Sequence, residues 1–160
     1  MSWFDRRTVL LALAVLAGCG FAPAYGPGGA AGALFGRVEI APPTDRDGFD
    51  LAQRLEERLG HGQAPDYDLT YRIETDETGL GITPENSITR YHVLGKVSYS
   101  LTDAAGAVVS AGTVESFTAY SASGSTVAAL AAQEDASQRL MRILADQIFN
   151  RIVADTAKKP

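Results

Sequence analysis

Two stretches of this chain alternate apolar and polar residues with a period of two, a pattern that suits a half-buried sheet and little else. Residues 67–76 put Tyr67, Leu69, Tyr71, Ile73 and Thr75 on one side, and Asp68, Thr70, Arg72, Glu74 and Asp76 on the other. Residues 90–102 repeat the device: Tyr91, Val93, Gly95, Val97, Tyr99 and Leu101 face one way, and Arg90, His92, Leu94, Lys96, Ser98, Ser100 and Thr102 the other. Successive strand side chains point to opposite faces, so each run offers one face to a core and one to water. The turn Asp103-Ala104-Ala105-Gly106 joins the second run to a third, 108–120, and predicts a hairpin. The third run is rich in Ala, Ser and Thr, and its pattern does not assign an inner face. Gly79, Gly81, Pro84 and Asn86 predict a loop over 79–88.

The remaining segments change period. A short strand is expected at 37–41, ended by Pro42-Pro43. Asp45 or Asp47 then caps a helix over 48–59, in which Phe49, Ala52, Leu55 and Leu59 recur at helical spacing and Gly60 signals the stop. A long helix follows a cap within 123–126 and runs to about 153, with Leu130, Met141, Leu144, Ile148 and Ile152 on its stripe and Leu140 and Ile143 widening it. Asp135–Arg139 and Arg142–Asp146 are oppositely charged pairs four apart. Strand, helix, three antiparallel strands and a long helix predict an α+β fold: a two-layer sandwich with a mostly antiparallel sheet and two helices packed on one face.

Ahead of this domain lie Arg6-Arg7, an apolar stretch over 9–16 and the run Leu16-Ala17-Gly18-Cys19. A basic n-region, a short apolar core and small residues at the cut describe a secretory signal, and Leu-Ala-Gly-Cys is the bacterial lipoprotein processing sequence. Lipidation is expected on Cys19, the single cysteine. The apolar stretch is about half of the ~20 residues that span a bilayer, so an acyl anchor is favoured over a membrane helix. The expected organisation is a signal peptide over 1–18, a Gly-, Ala- and Pro-rich tether over 19–36 and one domain over 37–157. Without Asp5, Arg6 and Arg7, the 14 basic and 19 acidic residues fall to 12 and 18, a net charge of −6. That balance lacks the basic footprint of a nucleic-acid binder.

Catalytic groups find no constellation. His61 and His92 fit no zinc spacing, and no cofactor motif is present. Glu56-Glu57 and Asp76-Glu77 are sequence neighbours, whose side chains diverge. Gly79-Leu80-Gly81 is not followed by the lysine of a phosphate loop. Binding remains. Arg72, Arg90 and Lys96, with His92, share the wet strand face and make candidate contacts for phosphate groups. The alternative is an ordinary solvated face whose cations pair across strands with Glu74 or Glu115.

Cys19-Gly20-Phe21-Ala22-Pro23-Ala24-Tyr25 resembles the mature start of the lipopolysaccharide-assembly lipoprotein family LptE. The layout that follows is similar too: Val38-Glu39-Ile40 before the first helix, Tyr99-Ser100-Leu101-Thr102-Asp103 closing the central strand, and Glu134, Arg139 and Leu140 in the late helix. The resemblance implies a protein that is not an enzyme, held by lipid on the periplasmic side of the outer membrane. It also implies two partners: the outer-membrane β-barrel that delivers lipopolysaccharide to the cell surface, which such proteins help assemble and plug, and lipopolysaccharide itself. Two rivals are an auxiliary lipoprotein of an envelope lipid-transport ABC system and a hydrolase built around His92, a carboxylate and a serine.

Overall fold

The computed structural model describes residues 29–62, 64–82 and 88–158. Cys19, the signal segment and most of the tether lie outside the described residues. Helix α1 spans Ala30–Leu34, strand β1 Val38–Ile40, helix α2 Arg46–Leu59, strand β2 Tyr67–Ile82, strand β3 Ile88–Asp103, strand β4 Val108–Ser121 and helix α3 Thr126–Thr156. The four strands form one sheet in the order β1-β2-β3-β4, with β1 parallel to β2 and the other pairs antiparallel. The helices cover one face, so the two-layer α+β sandwich is present.

Local chemistry explains the boundaries. Asp45 Oδ1 accepts the Gly48 amide at 2.7 Å and caps α2. At the other end Gly60 takes φ +75°, a left-handed value that favours glycine, and its N–H donates to the Glu56 carbonyl. Ser125 Oγ accepts the Ala128 amide and caps α3. In the β3–β4 turn, Asp103 Oδ1 accepts the amides of Ala105 and Ala107, and Gly106 supplies φ +79°. A register shift at Leu101/Thr102 follows, so Ser110, Gly112, Val114, Ser116, Thr118 and Tyr120 of β4 face inward.

Leu69, Val93, Val97, Tyr99, Leu101 and Val114 from the sheet meet Leu51, Leu55 and Leu59 of α2 and Leu140, Leu144, Ile148 and Ile152 of α3. Helix α3 approaches the sheet closely at Gly95 of β3. A Cβ there would lie 2.9 Å from Leu144 Cδ1 and 3.0 Å from Leu140 Cδ2, so the missing side chain lets α3 settle onto the central strand. Polar groups pin the layers. Thr118 Oγ1 donates to the Ala136 carbonyl at 2.9 Å, and Ser110 Oγ donates to Asp155 Oδ2 at 2.8 Å. The Arg54 guanidinium donates twice to the Asp146 carboxylate, at 3.1 and 3.0 Å, and Arg58 adds a third bond at 3.0 Å.

Several expectations are corrected. Phe49 is 58% exposed, and Leu51 fills the core in its place. Leu130 and Ile143 are also exposed; the buried stripe of α3 begins at Ala136. Asp135–Arg139 forms, at 2.8 Å, whereas Asp146 pairs across to α2 rather than with Arg142. Strand β2 continues through Gly79–Ile82 and β3 resumes at Ile88, because the regular antiparallel ladder overrides the glycine signal there. Residues 30–34, inside the stretch read as tether, form α1 and bury Leu34 completely. Alanine favours helix, and one leucine suffices to seat that turn against the core.

Candidate functional site on the solvent face of the sheet

Helices occupy one face of the sheet, so the other carries the side chains the alternation assigned to water. Strand register orders them in rows. Leu80, Arg90 and Ser121 form one row; Thr78, His92 and Ala119 the next; then Asp76, Leu94 and Phe117; then Glu74, Lys96 and Glu115; then Arg72, Ser98 and Thr113. Directly opposed side chains sit about 4.5–5.5 Å apart at Cβ, so each row is a set of contacts.

The three candidate ligand residues all lie on this face, in two places. Lys96 and Arg72 are diagonal neighbours in adjacent rows. Lys96 sits between Glu74 and Glu115 in its row, and its Nζ lies 3.6 Å from Glu115 Oε1. The cross-strand ion pair therefore exists at Lys96. Arg90 stands six residues along β3 from Lys96, about 20 Å at 3.3 Å per residue. Among the described residues, neither Arg72 nor Arg90 has a carboxylate within ion-pair distance.

Between Arg90 and Lys96 the face becomes apolar. Phe117 is 62% exposed and Leu94, its register neighbour, 44%. The His92 ring lies 5.3 Å from that of Phe117. Beside them a depression of about 650 Å³ is lined by Leu80, Thr89, Arg90, His92, Ser121 and Ser123. An exposed aliphatic and aromatic pair with a guanidinium two rows beyond it suits an amphiphile with an anionic head and an apolar body. The lining includes a histidine and two serines but, among the described residues, no carboxylate to complete a hydrolytic set. Groupings of His, Cys, Asp or Glu able to hold a metal ion are likewise absent among the described residues.

Behind this region the inner face is fixed by an aromatic and polar latch. Tyr91 and Tyr120 stack at 5.2 Å. Tyr120 Oη donates to Glu77 Oε1 at 2.9 Å, and Gln133 of α3 donates to Glu77 Oε2 at 2.8 Å. Burial, then the bond to Glu77, pushes the Tyr120 phenol up to about 12, so it stays a donor at neutral pH. The latch ties the start of α3 to the ends of β2 and β4 and stiffens the sheet under the patch.

Sequence reasoning missed Phe117, because β4 carries too few large residues for its phase to be read. The available signal was Leu94, an apolar residue out of place in a polar row.

The layout has relatives. A family model described as LptE, lipopolysaccharide-assembly, matches residues 35–152. A solved structure from Caulobacter crescentus CB15, described as a lipoprotein, is 25% identical with TM-score 0.68, covering 82% of this chain and 100% of that one. The rare lipoprotein B from Shewanella oneidensis aligns at 14% identity with TM-score 0.56, over 74% of this chain and 92% of that one. A minor lipoprotein from Acinetobacter baumannii aligns at 20% identity and TM-score 0.55, over 74% and 90%. No curated protein matches the chain. The family match spans most of the chain, including every strand, all of α2 and most of α3, and the chain belongs to the lipopolysaccharide-assembly family LptE.

Proposed function

We propose that this protein is held by lipid on Cys19 at the periplasmic side of the outer membrane, where it helps assemble and plug the lipopolysaccharide-delivering β-barrel. The observation that carries the reading is the solvent face: a long-stranded surface with Phe117 and Leu94 exposed between Arg90 and Lys96, over a body pinned to its helices. Such a body acts by contact rather than by turnover. Geometry also orders the molecule from end to end. Gly36 donates to the Leu59 carbonyl, so α1 sits at the C-terminal end of α2, close to the start of β2. Helix α1 therefore lies at the end of the sheet opposite the Arg90 patch.

Lipopolysaccharide contact fits the same patch. Arg90 offers a guanidinium to a lipid A phosphate, and Leu80, Leu94 and Phe117 offer apolar surface to acyl chains. Arg72 and Lys96, nearer the middle of the face, make a second anionic contact in which Lys96 has first to leave Glu115. Depletion of the protein in cells tests the reading. The expected result is a misassembled barrel and lipopolysaccharide retained inside the envelope; normal surface lipopolysaccharide after clean deletion overturns it.

A further inference from the structure

The two long edges of the sheet, β4 on one side and β2 beyond its short pairing with β1 on the other, are treated differently. On β4 the odd-numbered residues direct their backbone groups outward, and two side chains of α3 reach that edge: Arg151 donates to the Thr113 carbonyl at 2.7 Å and Arg139 to the Ala119 carbonyl at 3.4 Å. On β2 the odd-numbered residues also face outward, as Tyr67 N–H donating to the Arg37 carbonyl and Leu69 C=O accepting from Ala41 show. There the cover stops. Pro42 and Pro43 have no N–H to continue the ladder, and the chain leaves for α2. Tyr71, Ile73, Thr75, Glu77 and Gly79 follow in unbroken register with β3, and among the described residues nothing bonds their outward N–H and C=O groups.

We infer that this edge of β2 receives an extended segment of the β-barrel partner, which adds as a fifth strand. The inference rests on the barrel reading above. A row of alternating donors and acceptors at strand spacing is matched by another extended backbone and by no small ligand. Charge selects the segment. Glu74 and Asp76 flank the middle of the free edge on its solvent side, so the incoming strand carries Lys or Arg at alternate positions. A second copy of this chain fits poorly. Antiparallel pairing over the whole free edge centres on Thr75 and sets Glu74 of each copy against Asp76 of the other, four carboxylates in one place.

Amide hydrogen exchange at single-residue resolution tests this, on the full acylated chain alone and in the complex recovered from detergent-solubilised outer membrane. In the chain alone, Arg72, Glu74, Asp76 and Thr78 are already protected by β3, and the five odd-numbered amides exchange freely. In the complex we expect exchange of those five to slow by about tenfold or more, with the even-numbered ones unchanged. A barrel complex in which the five stay fast overturns the strand addition and leaves the barrel reading standing. Recovery of no barrel overturns both. Alternating protection that grows with concentration in the chain alone makes a second copy the occupant and overturns the assignment.

Discussion

Gly95 is a point of close approach between the two layers, and filling it measures how tightly they are packed. In Gly95→Ala the new Cβ meets Leu144 Cδ1 at 2.9 Å and Leu140 Cγ at 3.2 Å, inside ordinary contact distance. Both leucines are fully buried, so their tips move only by displacing other core side chains. Overpacking of this kind costs about 1–3 kcal/mol, offset by about 0.5–1 kcal/mol for replacing glycine in a strand. A net loss of about 1 kcal/mol is expected for Gly95→Ala, and about 3 kcal/mol for Gly95→Val, whose branches reach farther toward α3. Leu144→Ala alone should cost about 2–5 kcal/mol through its cavity. Combined with Gly95→Val, the cavity receives the added methyls, and the double variant should be more stable than the sum of the two losses by at least about 1.5 kcal/mol. Urea unfolding of the chain without residues 1–19, followed by far-ultraviolet circular dichroism, supplies the four stabilities. Additivity within about 0.5 kcal/mol would falsify the claim that α3 rests on β3 at this glycine.

Other parts of the structure give shorter tests. Asp155 is held below the usual carboxylate range, first by the Ser110 hydroxyl and then by Lys158, so its contribution is present at neutral pH and lost as pH falls through its folded-state value. Ser110→Ala should flatten the acid limb of the stability–pH curve, and an unchanged limb counts against that bond. Asp146→Ala removes two bonds from Arg54, which keeps Glu57, and one from Arg58, which keeps its place over the Phe149 ring, and should cost about 1 kcal/mol, whereas Glu134→Ala, facing the largely exposed Arg46, should cost less than about 0.5 kcal/mol by thermal melting. Phe117→Ser should leave stability within about 0.5 kcal/mol and yet reduce lipopolysaccharide retention on the immobilised protein several-fold. Equal retention removes the patch from the account. Cys19→Ser should move the chain from the membrane pellet to the soluble periplasmic fraction.

Strand pairing and strand faces were legible because alternation survives wherever one face is wet. Every inward residue of 67–73 and 91–101 was assigned correctly, and helix ends were marked by chemistry that acts within a few residues: Gly60 directly, Asp45 as one of two candidates with Asp47, and Ser125 within the stretch 123–126. Helix phase was less legible. Phe49 and Leu51 offer two stripes for α2, and only the packing of Gly48 against Pro43 and under the Tyr71 hydroxyl selects the second. The stripe of α3 keeps its period through Leu130, past the point where inward β2 residues such as Thr75 and Glu77 turn polar, so periodicity alone overextends the core. The candidate site was half legible. Arg72, Arg90 and Lys96 were placed on one face, but their spacing along β3, the carboxylates around Lys96 and the Phe117 patch depend on register with strands whose own pattern is weak.

The central claim is that a lipid-anchored, four-stranded body works in contact with a lipopolysaccharide-delivering barrel. Mass spectrometry of this protein purified at native abundance from detergent-solubilised outer membrane addresses it in one measurement. The account predicts a chain starting at an acylated Cys19 together with one large outer-membrane β-barrel in comparable amount. An unacylated chain, or inner-membrane transporter subunits in place of the barrel, would contradict it.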